Sequence, residues 1–270
     1  LKVRMPGSPR YLELQNLMKD QKLHTVCEEA HCPNIGECWD RGTATFMILG
    51  DVCTRSCGYC NVVHGAPQVV DKGEPGRVAK AISKLELRHV VITSVDRDDL
   101  ADGGASIFAA TITAVRTQAR ECRIEVLIPD FSGRSCDLHT VLDAGPDVLN
   151  HNVETVERLY RTARPGGRYR WALQLHERAR RYRPATPTKS GIMVGLGESI
   201  DEVVITLANL RDVGCELLTI GQYLQPSLAH LPVVRYYHPD EFDELRHRAV
   251  ELGFRHVESG PLVRLSLIHI

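Results

Sequence analysis

Short apolar runs alternate with longer amphipathic stretches along most of this 270-residue chain. Runs of four to eight residues rich in Val, Ile, Leu and Thr are typical of buried parallel strands. The amphipathic stretches between them are typical of helices, and the short connections imply right-handed crossovers. The pattern therefore predicts an α/β fold, with a full or partial β/α barrel of the TIM type. Periodicity does not separate a barrel from a doubly wound sheet, but the number of repeated units favours the barrel.

Seven strands and eight helices are predicted from this alternation. The strands are expected at 44–49, 89–94, 123–128, 148–152, 189–194, 216–222 and 254–257. The helices are expected at 11–22, 76–86, 104–121, 137–144, 154–163, 171–182, 201–213 and 239–252. Residues 27–43 show no usable periodicity, so no element is predicted there.

The overall charge and hydropathy exclude some classes of partner. The formal net charge is -1, so the chain lacks the basic field that nucleic-acid binding requires. No apolar stretch approaches the roughly 20 residues that span a bilayer. We therefore expect neither a nucleic acid nor a membrane as partner. The chain begins at Leu1 and shows no signal-peptide core. The expected location is the cytoplasm, or a mitochondrial or plastid matrix if a leader has been removed.

The number and placement of the cysteines indicate what kind of functional site the chain carries. Six of the nine cysteines fall between Cys27 and Cys60, which indicates metal ligation in a reducing compartment. Cys122, Cys136 and Cys215 stand alone, and we expect them to be small buried apolar residues.

The second cysteine triad directly follows the first predicted barrel strand. Cys53, Cys57 and Cys60 form C-x3-C-x2-C. Thiolates at this spacing select an iron–sulfur cluster or zinc. Three protein ligands leave one iron of a cubane cluster with open coordination, as a catalytic zinc keeps one open position. That iron can chelate the amino and carboxylate groups of a small molecule, at the end of the barrel where active sites lie.

The first triad lies upstream of the barrel strands. Cys27, Cys32 and Cys38 form C-x4-C-x5-C, a second soft-metal site that needs a fourth ligand from elsewhere. His31 lies inside this triad and is a rival ligand by residue type.

Two resemblances follow from these motifs. The segment CTRSCGYC, with an aromatic residue just before its last cysteine, resembles the radical S-adenosylmethionine (radical SAM) superfamily. Within that superfamily, the segment CEEAHCPNIGECW resembles the lipoyl synthases. The likeness extends over nearly the whole chain, through the blocks TSVDRDDLADGG, EVLIPDF, NHNVET, KSGIMVGLGE and TIGQYLQPS. Each block falls at or just after the end of a predicted strand, where loops carry function.

The resemblance implies two [4Fe-4S] clusters and S-adenosylmethionine as cofactors. Cys53, Cys57 and Cys60 are expected to hold the radical-generating cluster, and the first triad a sacrificial auxiliary cluster; His31 is then not a ligand. The residues expected near the adenosyl ligand are Asp102, Gly103, Gly104, Asn150, Asn152 and Glu154. Ordinary turn or cap chemistry is the alternative for each of these six.

The implied reaction inserts two sulfur atoms at carbons 6 and 8 of a protein-bound octanoyl chain, which gives the lipoyl cofactor. The implied partners are an octanoylated lipoyl-carrier domain and an electron donor such as ferredoxin or flavodoxin. The basic run 177–189 is a candidate surface for an acidic carrier, and a solvated helix face is the alternative.

The expected organisation has three parts: an N-terminal extension with the auxiliary-cluster cysteines (1–43), a radical SAM barrel (44–258) and a tail (259–270). The tail departs from the family. Family members end in Gly-Pro-…-Arg-Ser-Ser-Tyr, and the serine before the tyrosine ligates the auxiliary cluster. Here Gly260 to Arg264 match, but Leu265, Ser266 and Leu267 follow. An ungapped comparison puts Ser266 at the ligand position without its flanking hydroxyl groups.

Two other functions remain open at this point. One is another radical SAM sulfur-inserting or methylthio-transferring enzyme. The other, of a different class, is a zinc-binding structural protein with two cysteine-rich modules. The triad C-x4-C-x5-C together with a C-terminal serine favours lipoyl synthase over the first alternative. A brown colour after anaerobic purification would reject the second, because zinc sites are colourless.

Overall fold

The computed structural model describes residues 6–29, 32 and 34–264. The strands in this part are β1 (His24–Thr25), β2 (Thr43–Ile48), β3 (Val52–Cys53), β4 (Val63–His64), β5 (His89–Ser94), β6 (Arg123–Leu127), β7 (Val148–Asn150), β8 (Thr188–Val194), β9 (Leu217–Gln222) and β10 (His256–Gly260). The α-helices are α1 (Pro9–Asp20), α2 (Val26–Glu29), α3 (Ile35–Asp40), α4 (Glu74–Lys84), α5 (Ala105–Gln118), α6 (Ser135–Asp143), α7 (Tyr160–Ala163), α8 (Tyr169–Tyr182), α9 (Ile200–Asp212) and α10 (Pro239–Glu251).

The main sheet has eight strands in the order β1-β2-β5-β6-β7-β8-β9-β10. The seven strands from β2 to β10 are parallel neighbours in chain order, and β1 pairs antiparallel with β2 at one edge. No ladder between β10 and β1 is present among the described residues, so the sheet is an open, partial β/α barrel. The predicted α/β barrel class is confirmed. Strands β3 and β4 form a separate parallel pair beside it.

All seven predicted strands are present, with ends that shift by a few residues. The predicted helix 154–163 is wrong over its first half. Glu154 has a positive φ of 66°, in the left-handed region, and its β-bridge with Ile192 holds the chain beside β8 at this point. A residue with that backbone conformation does not begin a right-handed helix. The segment instead forms a 3-10 turn, Glu157–Leu159, followed by the one-turn helix α7.

The cysteine-rich segment 27–43 is more ordered than its sequence indicates. It contains α2 and α3, each too short to show a hydrophobic period. Leu14, Met18 and Trp39, from α1 and α3, belong to the same buried cluster as Phe46 of β2. The N-terminal part therefore packs directly on the first half of the sheet. A second buried cluster, which includes Leu207 and Phe242, fills the other half.

The carboxyl ends of the parallel strands meet at one rim, and the loops that follow β2, β5, β7, β8 and β9 lie there. Both cysteine triads lie near this rim. Within the described residues, no helix is both long enough and apolar enough to span a membrane.

Candidate active site

The second triad lies in the loop that follows β2. Cys53 ends β3, and Cys57 and Cys60 lie in the turns that follow it. The thiol sulfur of Cys53 accepts backbone N–H groups from Arg55 (3.4 Å) and Asp96 (3.3 Å). Burial raises the pKa of Cys57 to about 12 and that of Cys60 to about 11. These thiols therefore become ligands only when a metal displaces their protons.

Arg55, inside this loop, anchors it to two neighbouring strand ends. Its guanidinium donates two hydrogen bonds to Asp98 (2.7 and 2.8 Å) and two to Asp130 (2.9 and 2.8 Å). Asp96 lies 3.5 Å from the same group. Asp96 and Asp98 follow β5, and Asp130 follows β6. Two-point guanidinium–carboxylate contacts are geometrically specific, so they fix the loop relative to the barrel.

The first triad gathers three thiols between α2, α3 and β2. Cys27 and Cys38 are buried, and Cys32 is partly buried. Burial raises the pKa of Cys27 to about 12, and the charges of Cys32 and Cys38 add to that rise. Cys38 likewise raises the pKa of Cys32, so each pair of these thiols is near enough for their charges to interact. His31 lies outside the described residues.

The end of the described chain lies against this first triad. The side-chain amide of Asn34 donates a 2.6 Å hydrogen bond to the carbonyl oxygen of Leu262. The guanidinium of Arg264 is close enough to Cys32 to oppose the rise of that thiol's pKa, which burial causes. Ser266, two residues further on, lies outside the described residues, so its predicted ligand role stays a prediction.

All nine cysteines are free thiols. Three buried or partly buried thiols at each triad, with no disulfide among them, fit a cluster bound by three cysteines. Within the part of the chain that the structure describes, no three His, Cys, Asp or Glu side chains are close enough to hold a single metal ion. Cys122 and Cys215 are buried, as predicted, but Cys136 is exposed on α6, so its predicted burial is wrong.

A cavity of about 460 Å³ lies between the two triads. Tyr59 and Cys60 of the second triad's loop line one side, and Val26, next to Cys27, lines it as well. The remaining lining residues come from the strand ends, from the segment after β9 and from the tail: Asn61, Val62, Leu127, Asn152, Glu154, Gly191, Ile192, Met193, Thr219, Gly221, Gln222, Tyr223, Leu224, Gln225, Pro226, Val263 and Arg264. A ligand in this cavity would touch Cys60 of the second triad and, beside the first triad, Val26 and Arg264.

Two of the six residues predicted near the adenosyl ligand line this cavity. Burial raises the pKa of the Glu154 carboxyl, while Arg164 and a hydrogen bond with Asn152 oppose that rise. The amide oxygen of Asn152 is buried and has no hydrogen-bond partner among the described residues. Buried polar atoms normally have partners, so this oxygen is placed to accept from a ligand.

The other four predicted residues lie elsewhere. Asn150 is fully buried below the cavity and donates to Glu125 (2.9 Å), which also pairs with Lys189 (2.8 Å). The Asp102 carboxylate accepts the backbone N–H groups of Gly104 and Ser106, both at 2.9 Å.

Asp102, Gly103 and Gly104 thus make the contacts of a helix start, the alternative considered for them. Gly103 and Gly104 have positive φ, and a Cβ on Gly104 would collide with Leu49.

Sequence reasoning missed Arg55 and Arg164. Arg164 is buried and donates a hydrogen bond to the carbonyl oxygen of Asn152 (2.9 Å). It also interacts electrostatically with Tyr59, Glu154 and Asp96. It also lowers the pKa of Cys57 against the effect of burial. Neither arginine belongs to a sequence motif whose residue spacing would indicate a function. The one available signal for Arg55 was its place inside the triad.

The comparisons with known proteins agree with this geometry. Residues 47–210 match the model of the radical SAM superfamily. A lipoyl synthase of Rubrobacter xylanophilus is 56% identical over 266 residues, which cover 98% of this chain and 83% of the relative. A lipoyl synthase of a Roseiflexus species is 57% identical over 266 residues, with 98% and 88% covered.

Solved structures share the fold at low sequence identity. Methylornithine synthase (PylB) has a TM-score of 0.59 at 14% identity, covering 93% of this chain and 78% of that one. Streptococcus suis SuiB, in complex with its precursor peptide SuiA, has a TM-score of 0.63 at 8% identity, covering 93% and 53%. At such identities the likeness concerns the fold alone.

Proposed function

The chain belongs to the lipoyl synthase family of radical SAM enzymes, and on that premise we propose how its residues divide the reaction. The reaction inserts two sulfur atoms at carbons 6 and 8 of a protein-bound octanoyl chain. The observation that carries the proposal is the cavity between the triads, lined by Cys60 on one side and by Val26 and Arg264 near the first triad. A carbon placed there would lie beside Cys60 and near the residues that flank the first triad.

The superfamily implies one [4Fe-4S] cluster and S-adenosylmethionine. Cys53, Cys57 and Cys60 would hold this cluster, with one iron left for the amino and carboxylate groups of S-adenosylmethionine. When bound, the pair supplies a 5′-deoxyadenosyl radical that can remove hydrogen from unactivated C–H bonds. Asn152 and Glu154 would orient the ligand, since they line the cavity and the Asn152 amide oxygen lacks a protein partner. Asp102, Gly103, Gly104 and Asn150 would support the surrounding loops.

A second [4Fe-4S] cluster, held by Cys27, Cys32 and Cys38, is part of the proposal. It would supply the inserted sulfur. Ser266 would be its fourth protein ligand, because Arg264 already lies beside Cys32. Arg264 is partly buried, and its positive charge would offset the negative charge of thiolates there.

The cavity also suits an aliphatic chain. Its apolar lining includes Val26, Leu127, Ile192, Met193 and Leu224. These side chains would replace the water around an octanoyl chain and hold it against two fixed loops. Exclusion of water also protects reactive species from side reactions.

The carrier and the electron donor are proposed as partners by class only: an octanoylated lipoyl-carrier domain, and a ferredoxin or flavodoxin. The basic run 177–189 gives little support to a docking role. Arg180 pairs with Glu216, Arg181 with Glu177, and Arg183 with Asp143, as on a solvated helix face. The free thiols fit a reducing compartment, and we propose the cytoplasm or an organelle matrix.

The decisive experiment is anaerobic incubation of the reconstituted chain with S-adenosylmethionine, a reductant and an octanoylated peptide, followed by mass spectrometry of the peptide. A gain of two sulfurs, as a dithiol under the reducing conditions or with two hydrogens fewer once the dithiol is oxidised to the disulfide, supports the proposal. A gain of a methylthio group would favour the other radical SAM reaction. A colourless protein that contains zinc after anaerobic purification would favour the structural alternative, because Zn²⁺ is d¹⁰.

A further inference from the structure

The segment after β9 touches both the cavity and the second triad's loop. We call residues 223–231 the bridging segment. At its far end, the backbone N–H of Leu231 donates to the carbonyl oxygen of Gly58 at 2.9 Å. The His230 Nε2 lies 3.0 Å from the carbonyl oxygen of Cys60. The bridging segment therefore makes two hydrogen bonds to the turn that carries Cys57 and Cys60.

The imidazole of His230 is held in one orientation. Its Nδ1 lies 2.9 Å from the hydroxyl oxygen of Ser227. A carbonyl oxygen only accepts hydrogen bonds, so Nε2 must carry the proton and donate to Cys60. Nδ1 of the neutral ring then accepts from the Ser227 hydroxyl. Ser227 thus fixes the tautomer that holds the Cys60 peptide.

Close packing adds to these hydrogen bonds. A Cβ placed on Gly58 would lie 2.9 Å from Cγ of Leu231, a separation that real side chains do not adopt. The glycine in the second triad therefore allows Leu231 to lie directly on the turn. A shift of the bridging segment would be transmitted to the backbone between Cys57 and Cys60, because packed contacts do not deform freely.

The near end of the bridging segment lines the cavity. Tyr223, Leu224, Gln225 and Pro226 all face the proposed octanoyl site. Two hydrogen bonds tie this end to the far end: the Tyr223 hydroxyl donates to the carbonyl oxygen of Leu231 (2.8 Å), and the Gln225 amide donates to that of His230 (3.0 Å). Occupancy of the cavity and the position of the cluster loop are therefore linked through one short, internally bonded segment.

We propose that His230 is a positioning residue that holds the turn between Cys57 and Cys60 and couples occupancy of the cavity to the binding of S-adenosylmethionine. The identity of the cavity's occupant rests on the proposed function, but the contact with Cys60 does not. With the turn fixed, Cys57 and Cys60, which would hold the cluster, keep a constant position relative to the cavity wall that includes Asn152 and Glu154. Without His230, S-adenosylmethionine binds less tightly, and its cleavage depends less on whether substrate is present.

The test compares the anaerobically reconstituted chain with His230→Ala, His230→Gln and a matched control, His247→Ala. His247 is exposed on α10 and lies outside the site. We expect equal iron content in all four proteins. For His230→Ala, we expect the Kd for S-adenosylmethionine to rise roughly three- to tenfold, the range that one hydrogen bond accounts for. The change that S-adenosylmethionine causes in the electron paramagnetic resonance (EPR) spectrum of the reduced cluster should also weaken.

Substrate coupling gives a second measurement. With the octanoylated peptide, His230→Ala should form more 5′-deoxyadenosine per thiolated peptide than the unaltered chain. Its rate of 5′-deoxyadenosine formation should also change less when the octanoylated peptide is left out. His230→Gln should recover much of the loss, because its amide can donate to Cys60, and His247→Ala should behave as the unaltered chain. A purely structural role would lower the melting temperature without changing the ratio.

The proposal is overturned if His230→Ala leaves the Kd and the spectrum unchanged, or if His230→Gln is as impaired as the alanine variant. Should His230→Ala lose its iron, Ser227→Ala decides the question. It keeps the imidazole but frees its orientation, so we expect a smaller change in the same direction, and no change rejects the proposal. If the unaltered chain binds S-adenosylmethionine but yields no thiolated peptide, the proposed function fails while the Kd comparison still decides the role of His230.

Discussion

The side-chain amide of Asn34 donates a 2.6 Å hydrogen bond to the carbonyl oxygen of Leu262 and so joins the first cysteine segment to the end of the described chain. Asn34 lies between Cys32 and Cys38, and Leu262 lies four residues before Ser266. A residue at 266 needs only a short extension to reach the first triad, since an extended chain covers about 3.3 Å per residue. This contact supplies the structural basis for testing the tail.

The first prediction concerns the tail itself. Ser266→Ala should lower the yield of thiolated peptide without changing S-adenosylmethionine cleavage, because it removes the proposed oxygen ligand of the auxiliary cluster only. The double change Leu265→Ser with Leu267→Tyr, which restores the family's residues, should raise the yield. Asn34→Ala should act like Ser266→Ala, since it releases the tail from the same segment. If Ser266→Ala leaves the yield unchanged, another group is the fourth ligand.

The second prediction concerns metal content. Two cubane clusters imply roughly eight irons and eight sulfides per chain after anaerobic reconstitution. The Cys32→Ala and Cys57→Ala variants should each fall towards roughly four, since each removes a ligand from a different triad. Iron and sulfide assays on the same samples measure this. A chain that never binds more than four irons, even with fresh sulfide, would contradict the second cluster.

The third prediction separates the two triads by chemistry. Cys57→Ala should abolish S-adenosylmethionine cleavage, because the cluster with the open iron cannot form. Cys32→Ala should still produce 5′-deoxyadenosine but no thiolated peptide. Cys136→Ala is the control, because that thiol is exposed and lies in neither triad. Chromatography of the nucleoside and mass spectrometry of the peptide measure the two products. Loss of all cleavage in Cys32→Ala with intact iron at the second triad would mean that the roles are assigned wrongly.

The fourth prediction concerns Arg55. Arg55→Ala leaves Asp96, Asp98 and Asp130 together without their cation, and removal of one partner from a buried ion pair typically costs about 3–5 kcal/mol. We expect the free energy of unfolding of the metal-free protein, from urea denaturation, to fall by about that amount at neutral pH. Arg181→Ala should change it little, since its ion pair with Glu177 is largely exposed.

Arg55 also makes the free energy of unfolding depend on pH. Burial alone would raise the pKa of Asp130, but the hydrogen bonds from Arg55 outweigh it and lower that pKa to about 2. An unfolded aspartate has a pKa of about 3.9. A lowered folded-state pKa adds stability that is complete above about pH 4 and is lost as the pH falls towards about 2. The slope of unfolding free energy over this interval should be shallower in Arg55→Ala. An unchanged slope would show that Asp130 does not depend on Arg55.

Much of the architecture follows from the sequence alone, because its signals are local. Each buried strand is recognisable as a short apolar run, and each triad is recognisable by its cysteine spacing. The seven parallel strands and both candidate cluster sites could therefore be predicted from the sequence. The helix predicted at 154–163 failed for a tertiary reason. Glu154 has a left-handed backbone conformation and is held beside β8 by its bridge to Ile192, a partner that local periodicity cannot reveal.

Only the tertiary structure decided which distant groups meet. Three hydrogen bonds join residues that are far apart in the sequence. Arg55 and Asp130 are 75 residues apart, His230 and Cys60 are 170 apart, and Asn34 and Leu262 are 228 apart. None of these pairs has a spacing that a sequence can show, because the barrel winding sets which loops share the rim. The sequence determined which residues could hold clusters, since ligand chemistry belongs to residue types. The fold determined that Cys60 and residues beside the first triad, Val26 and Arg264, line a common cavity, since separation in space depends on packing.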